Sequence, residues 1–297
     1  MVSGKMGQNE MKVTFRTMKM EDLPAVLALI NAEGWEYELV DVDRILEIDP
    51  DDSVTAVSDG EIVGATTVAC HIERGVLGHV VVKDGWRKKG IGKSMMIKVI
   101  EKLDAKGIAI IELYSVPHAV EFYRQLGFRK IGDLMIFVGS IKTSIATVPS
   151  KAKIGDLTTH DLKSVKDLDR RIVGFDRGNI IEKLMLPNLG HSVGLFEGGR
   201  LVGFALGRLG GDSAEIGPWI MERPNRNDAT ALFTAAMNRL GNRKTYIEVP
   251  DENKTALQII TESGLNPQYP VQRFVRTKLD VKPFGPGVMS YAALEFG

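Results

Sequence analysis

The stretch GWRKKGIGKS (residues 85–94) lies between an apolar run, LGHVVV (77–82), and KSMMIKVIEKL (93–103), where Met96, Val99, Ile100 and Leu103 recur at helical spacing. A glycine-rich turn between strand and helix is a phosphate-binding arrangement. Bare backbone can approach the anion, and the helix N-terminus points unpaired N–H groups at it. Two phosphate ligands compete for the reading. GKS suggests an ATP loop of pattern G-x-x-x-x-G-K-[ST], whose first glycine belongs at position 87. That position is Arg87, and Gly85 lies too early, so the backbone cannot curl as a β-phosphate requires. No strand-end Asp stands out to hold magnesium either. RKKGIG, a pyrophosphate cradle, is the reading that remains.

Working outward, KVTFRTM (12–18) is a strand, followed by a helix with Leu23, Val26, Leu27 and Ile30 on one face and Gly34 as its stop. VTAVSDGEIVGATTVA (54–69) reads as a hairpin about Asp59-Gly60. IAIIELYSV (108–116) is a strand, PHAVEFYRQLG (117–127) a short helix, and KIGDLMIFVG (130–139) closes the unit. The hairpins exclude a purely parallel sheet. The fold class is α/β of the mixed, α+β kind, with a mostly antiparallel sheet.

The second half repeats the first. EGGRLVGFALGR (197–208) echoes SDGEIVGATTVA with Val202-Gly203 for Val63-Gly64, an offset of 139. Gly217 before PWI stands 139 after Gly78 before HVVV, and Gly264 in TESGLNPQ answers Gly127 in RQLGFRKI at 137. A tandem duplication follows. The expected division is a tail over 1–11, a first domain over 12–142, a linker over 143–152 and a second domain over 153–279. Residues 280–297 hold a Pro/Gly break and an apolar run, which reads as an extra strand docking across both copies.

The length of 297 residues fits two domains, and 44% hydrophobic with 26% charged residues is ordinary for a globular chain with a sizeable core. Lys+Arg and Asp+Glu both number 38, so the net charge gives no support for nucleic-acid or anionic-membrane partners. The single cysteine, Cys70, excludes an internal disulfide framework and reads as a small buried residue. No run approaches the ~20 apolar residues of a membrane span and no signal segment opens the chain, so the expected location is cytoplasmic. No metal site is expected.

Arg87-Lys88-Lys89-Gly90-Ile91-Gly92 matches Arg/Gln-x-x-Gly-x-Gly/Ala, and EFYRQLGF (121–128) carries Tyr-x-x-x-Gly-Phe. In these motifs, over about 13–139, the chain resembles the GNAT acetyltransferase superfamily, and the duplication makes it two tandem GNAT-like acyltransferase domains. The resemblance implies acetyl-CoA as co-substrate. Its pyrophosphate would be held by Arg87, Lys88, Lys89, Gly90, Ile91, Gly92 and Lys93, and its pantetheine arm by the backbone of Val80, Val81 and Val82. It also implies direct attack by an amine in a ternary complex, with Tyr123 as general acid. Glu112 resembles the strand-end base of some members, although its connection to the helix is one residue shorter here. Glu73 and His79 are weaker candidates. Val116 stands where members often carry a pantetheine-binding Asn.

NAEGWEYELVDVD (31–43) occupies the region that forms one acceptor wall in the family. Its Glu33, Trp35, Glu36 and Tyr37 suit a cationic amine, small-molecule or peptide. Asp176 and Arg177 form a cluster that could reach a partner site. In the second copy, counting by 139 sets Arg226–Ala231 opposite the glycine loop, with Ala229 replacing Gly90, and Ile260 takes the tyrosine position. Glu248 and Asn253 keep the family spacing. The expectation is a catalytic first copy beside a degenerate second that shapes the substrate site or serves as scaffold, with a homo-oligomer possible. The alternative is a non-catalytic coenzyme A sensor; Tyr123→Phe separates the two, since only an enzyme has turnover to lose.

Overall fold

The computed structural model describes residues 12–140 and 151–297; the expected tail and nearly all of the expected linker lie outside the described residues. The first copy runs β1 (Val13–Thr17), α1 (Leu23–Asn31), α2 (Leu39–Ile48), β2 (Val54–Ser58), β3 (Glu61–His71), β4 (Arg74–Val82), α3 (Ile91–Ala105), β5 (Ile110–Ser115), α4 (Val120–Arg124) and β6 (Arg129–Gly139). The second repeats that order with β7 (Lys153–Asp156), α5 (Leu162–Val173), α6 (Gly178–Met185), β8 (Val193–Glu197), β9 (Arg200–Gly210), β10 (Ser213–Met221), α7 (Arg226–Leu240), β11 (Lys244–Pro250), α8 (Lys254–Glu262) and β12 (Asn266–Arg276). A last strand, β13 (Val288–Ser290), follows.

Local chemistry accounts for these elements. Asp59 and Gly60 both have positive φ, as a two-residue hairpin turn between β2 and β3 requires. α1 takes Pro24 in its first turn and buries Leu23, Val26 and Ile30. α2 lies inside the stretch read only as an acceptor wall; it buries Val42, Ile45 and Leu46, and the Asp41 carboxylate accepts from the Glu38 N–H at its start. No helix among the described residues is long and apolar enough to cross a membrane.

The strands form one sheet in the order β1-β2-β3-β4-β5-β12-β6-β11-β10-β9-β8-β7. Among the described strands, only β4–β5 and β10–β11 are parallel pairs. The copies exchange their last strands: β12 pairs with β5, β6 pairs with β11, and the two exchanged strands pair with each other. The cores follow the exchange. Phe274 of β12 packs with Met95, Val99 and Leu113 of the first copy, and Phe137 of β6 packs with Trp219 and Phe233 of the second. The chain after β12 also bridges the copies. Ala292, Ala293 and Phe296 pack among Ile45 and Ala69 of the first copy and Leu184 and Phe204 of the second.

Candidate active site

β4 and β5 pair only from Arg74 to Leu77; from Gly78 onward β4 stays bonded to β3 alone, so the sheet opens. A cleft of about 840 Å³ occupies this opening and is lined by Val80, Val81, Val82, Arg87, Lys88, Gly90, Ile91, Gly92 and Lys93. Gly90 has φ of 81° and begins α3 with no side-chain cap; the first bond of the helix runs from Ser94 N–H to Gly90 carbonyl. The N–H groups of Ile91, Gly92 and Lys93 therefore lack helical partners. A Cβ built on Gly90 meets no protein atom and projects into open space. An uncapped helix N-terminus, unobstructed backbone and adjacent cations fit a diphosphate. Arg87 donates from Nε to the Val82 carbonyl at 2.9 Å and pairs with Glu33. Lys89 departs from expectation: its ammonium lies 5.1 Å from the Trp86 ring centre, and it does not line the cleft.

The second copy is built differently at both equivalent places. Counting by 139 would start the helix at position 230, but α7 begins at Arg226, because the loop before it is shorter. Ala229 is thus not a substitute for Gly90; it lies within α7, fully buried. The Asn225 carbonyl oxygen of the side chain accepts from Asp228 N–H at 3.0 Å and caps this helix from within. Where β10 leaves β11, β13 enters. Trp219 pairs with Ser290, Met221 N–H donates to Gly287 carbonyl at 2.9 Å, and Tyr291 N–H donates to Glu248 carbonyl on β11 at 3.0 Å. Asn253, matched by spacing to a cofactor-binding position, caps α8 and donates from Nδ2 to the carbonyls of Pro286 and Val288 at 3.0 and 2.9 Å. It holds the inserted strand.

Beyond the diphosphate cradle, the cleft of the first copy continues under the second. Arg208, Glu215, Tyr246, Glu248 and Tyr269 line it, together with Glu295, Trp35, Tyr37, Asp41 and His79. Glu295, 4% exposed, accepts from the Tyr37 hydroxyl at 3.1 Å. Its Cβ packs on β4 so closely that a Cβ on Gly78 would stand 2.8 Å from it. Burial, with Glu215 nearby, pushes the Glu295 carboxyl up to about 7. Burial likewise raises Glu248, well above the usual range, and Glu215. Their strands are neighbours, and each carboxyl disfavours ionisation of the other; Arg208 pairs with Glu215 and donates to the Gly217 carbonyl at 2.7 Å. Glu248 Oε2 is buried without a hydrogen-bond partner. His79 adopts φ of 46°, bonds Thr67 Oγ1 through Nδ1 at 3.0 Å and sits edge-on to Tyr37. Burial lowers it to about 3, so the ring is neutral at pH 7.

Tyr123 lines the cleft, with its ring against Phe122 and Phe128 at 5.1 and 6.2 Å between centres. Burial pushes its phenol upward, so it stays protonated. Glu112 is a correction. It is 0% exposed, does not line the cleft, and is held by Arg74 on β4 and Arg273 on the exchanged β12, the latter at 2.7 and 2.9 Å. Despite burial, the arginines lower its carboxyl to about 2, so it cannot take a proton near neutrality. It is a structural anion at the seam between copies. Glu73 lies exposed at the β3–β4 turn, outside the cleft. Glu33 and Glu36, expected to meet substrate, are neutralised within the chain: Glu33 by Arg87, Glu36 by Lys244 at 2.7 Å and the Tyr246 hydroxyl at 2.6 Å. All four, Glu33, Trp35, Glu36 and Tyr37, line the cleft. Arg177 is buried against Asp169 at 2.9 Å and donates to the Gly297 carbonyl, which anchors the C-terminal segment instead of reaching a site. Glu215 and Glu295 escaped the sequence reading. A single acid inside the apolar run SYAALEF was the available signal for Glu295.

Family models described as acetyltransferase (GNAT) domains match residues 31–144 and 165–282, which together span most of the chain. The protein belongs to the GNAT acetyltransferase superfamily and carries two copies of its domain in tandem. Holothin acyltransferase of Pseudoalteromonas sp. (strain SANK 73390) is 23% identical over 99% of this chain and 98% of its own length. The chloroplastic GCN5-related N-acetyltransferase 1 of Arabidopsis thaliana is 45% identical over 53 residues, 18% of this chain and 27% of that protein. Among solved structures, a protein of Pyrococcus horikoshii superposes with a TM-score of 0.80 at 18% identity over 99% of both chains. A tandem GNAT protein from the clavulanic acid biosynthesis pathway gives 0.67 at 14% identity, over 89% of this chain and 98% of that one. At these identities the superpositions speak to fold alone.

Proposed function

We propose that the protein transfers an acetyl group from acetyl-CoA to an amino group, with the first copy holding the co-substrate and the second copy, with the C-terminal segment, forming the acceptor side. One observation carries this reading: a single cleft runs from the uncapped start of α3 to buried carboxylates contributed from beyond residue 200. The bound thioester supplies an electrophilic carbonyl, whose C–S bond breaks as the N–C bond forms. The chain supplies the proton handling. Glu295, beside Gly78 where β4 opens, takes the proton an ammonium must lose before it can attack. Tyr123, kept neutral, donates to the departing sulfur. Arg87, Lys88, Lys93 and the N–H groups of Ile91 and Gly92 hold the diphosphate, while the unpaired edge of β4 at Val80–Val82 takes the pantetheine amides.

The same reading gives one co-substrate per chain, because β13 fills the second opening and Asn225 caps the second helix. Calorimetric titration with acetyl-CoA tests it: one site per chain, lost in Gly90→Asp, is expected. Two sites, or unchanged affinity in that variant, would overturn the assignment of the loop. Tyr123→Phe should lower kcat roughly 10- to 100-fold with acetyl-CoA affinity retained.

A further inference from the structure

The acceptor end of the cleft holds more carboxyl groups than a single amine requires. Glu215, Glu248, Glu295 and Asp41 all line it; the cations that the second copy brings to the cleft are Arg208 and Lys244, and Lys244 is committed to Glu36. Arg208 is already committed to Glu215 and to the Gly217 carbonyl. Asp41 is partly balanced by Arg44 at 3.4 Å. Glu295 is occupied at the reacting end, where it packs on Gly78 and accepts from Tyr37. That leaves the Glu215–Glu248 carboxyl pair, set on the neighbouring strands β10 and β11, with Glu248 7% exposed and its Oε2 buried and unpartnered. Two buried carboxyl groups on adjacent strands, facing a cavity with one guanidinium that pairs with Glu215 alone, are an arrangement whose ionisation burial and mutual repulsion both oppose. A buried acceptor atom with no donor from the chain is completed by water or by a bound group.

Resting on the reading above, we infer that the preferred acceptor is a dication, a diamine whose second ammonium group docks on the Glu215–Glu248 pair while the first lies at Glu295. The ammonium brings three N–H donors to oxygens that the chain leaves without them. Its positive charge also favours ionisation of the two carboxyls, which burial otherwise opposes. The aromatic groups of Trp35, Tyr37, Tyr246 and Tyr269 line the same cleft and suit an apolar linker carrying cationic heads.

The test compares 1,4-diaminobutane and its longer homologues with butylamine, both as acceptors with acetyl-CoA and as ligands by calorimetry without it. The best diamine should exceed butylamine by about ten- to a hundredfold in kcat/KM and in affinity, the range of a charge-assisted hydrogen-bonded contact. In Glu248→Gln, and separately in Glu215→Gln, that ratio should collapse toward one, chiefly through KM. Butylamine used as well as every diamine, or a ratio untouched by both substitutions, would overturn the inference while leaving the transferase reading intact. Diamines that bind through Glu248 but are never acetylated would sink the transferase reading and leave the dication site standing. Neither binding nor turnover would remove both.

Discussion

Glu112 and Glu295 are both buried carboxyls, and their partners send them in opposite directions. Glu112, held low by Arg273 and Arg74, stabilises the fold only while ionised. Its folded value of about 2 lies below the usual 4.5, so the contribution is complete above 4.5 and fades as pH falls toward 2. Glu112→Gln leaves two buried guanidiniums without their anion and should destabilise by about 3 kcal/mol or more at pH 7 in denaturant titration. That loss should shrink under acid conditions. Glu295 has the reverse sign. Raised from 4.5 to about 7, it favours the folded state below 4.5, and the advantage is lost as pH rises through 7. Glu295→Gln should therefore melt higher than the parent above pH 7, with a gain on the order of 2–3 kcal/mol. It should also lose about 10²- to 10⁴-fold in kcat/KM, together with the rise of that parameter through pH 7. A pH–rate profile and melting curves across the same range check both halves.

At the scale of elements, the two openings in the sheet differ by what enters them. β4 diverges from β5 and leaves a cleft; β10 diverges from β11 and receives β13. The close fit is concentrated at Gly217, where an added Cβ would overlap the Tyr291 carbonyl oxygen and stand 2.9 Å from that of Ala292. Gly217→Ala should thus displace the C-terminal segment at a cost of about 1–3 kcal/mol. Because that segment carries Glu295, turnover should fall along with stability. Amide hydrogen exchange over 287–297 would register the loosening, and unchanged protection there would contradict this account of the plug.

Over the whole molecule, strand exchange makes the sequence repeat and the folding unit different things. Phe274 lies in the second copy by sequence and in the first copy's core by position. Phe274→Ala, at a fully buried site, should cost about 3–5 kcal/mol. It should lower one shared unfolding transition; two separate transitions would be expected only if the copies unfolded independently. Calorimetric and van't Hoff enthalpies that agree would establish the single transition.

What was legible in the sequence was local. RKKGIG sits between a strand and a helix within ten residues, the hairpin turns carry their own glycines, and the duplication shows as matched landmarks; each depends on near neighbours in the chain. Counting by a fixed offset failed at Ala229 because a loop shortened between landmarks, and spacing alone could not tell Asn253 the cofactor ligand from Asn253 the clamp on β13. The tertiary structure decided the rest. β6 and β12 carry no local mark that says which copy's edge each will join, since backbone pairing is available at both. Glu215, Glu248 and Glu295 come from three distant segments, and only the exchanged sheet and the inserted C-terminal strand bring them to one end of the first copy's cleft. Glu112 shows the limit most plainly: the same carboxylate on a strand is a base or a structural anion according to whether an arginine from the far copy reaches it, and that is settled by packing across the seam.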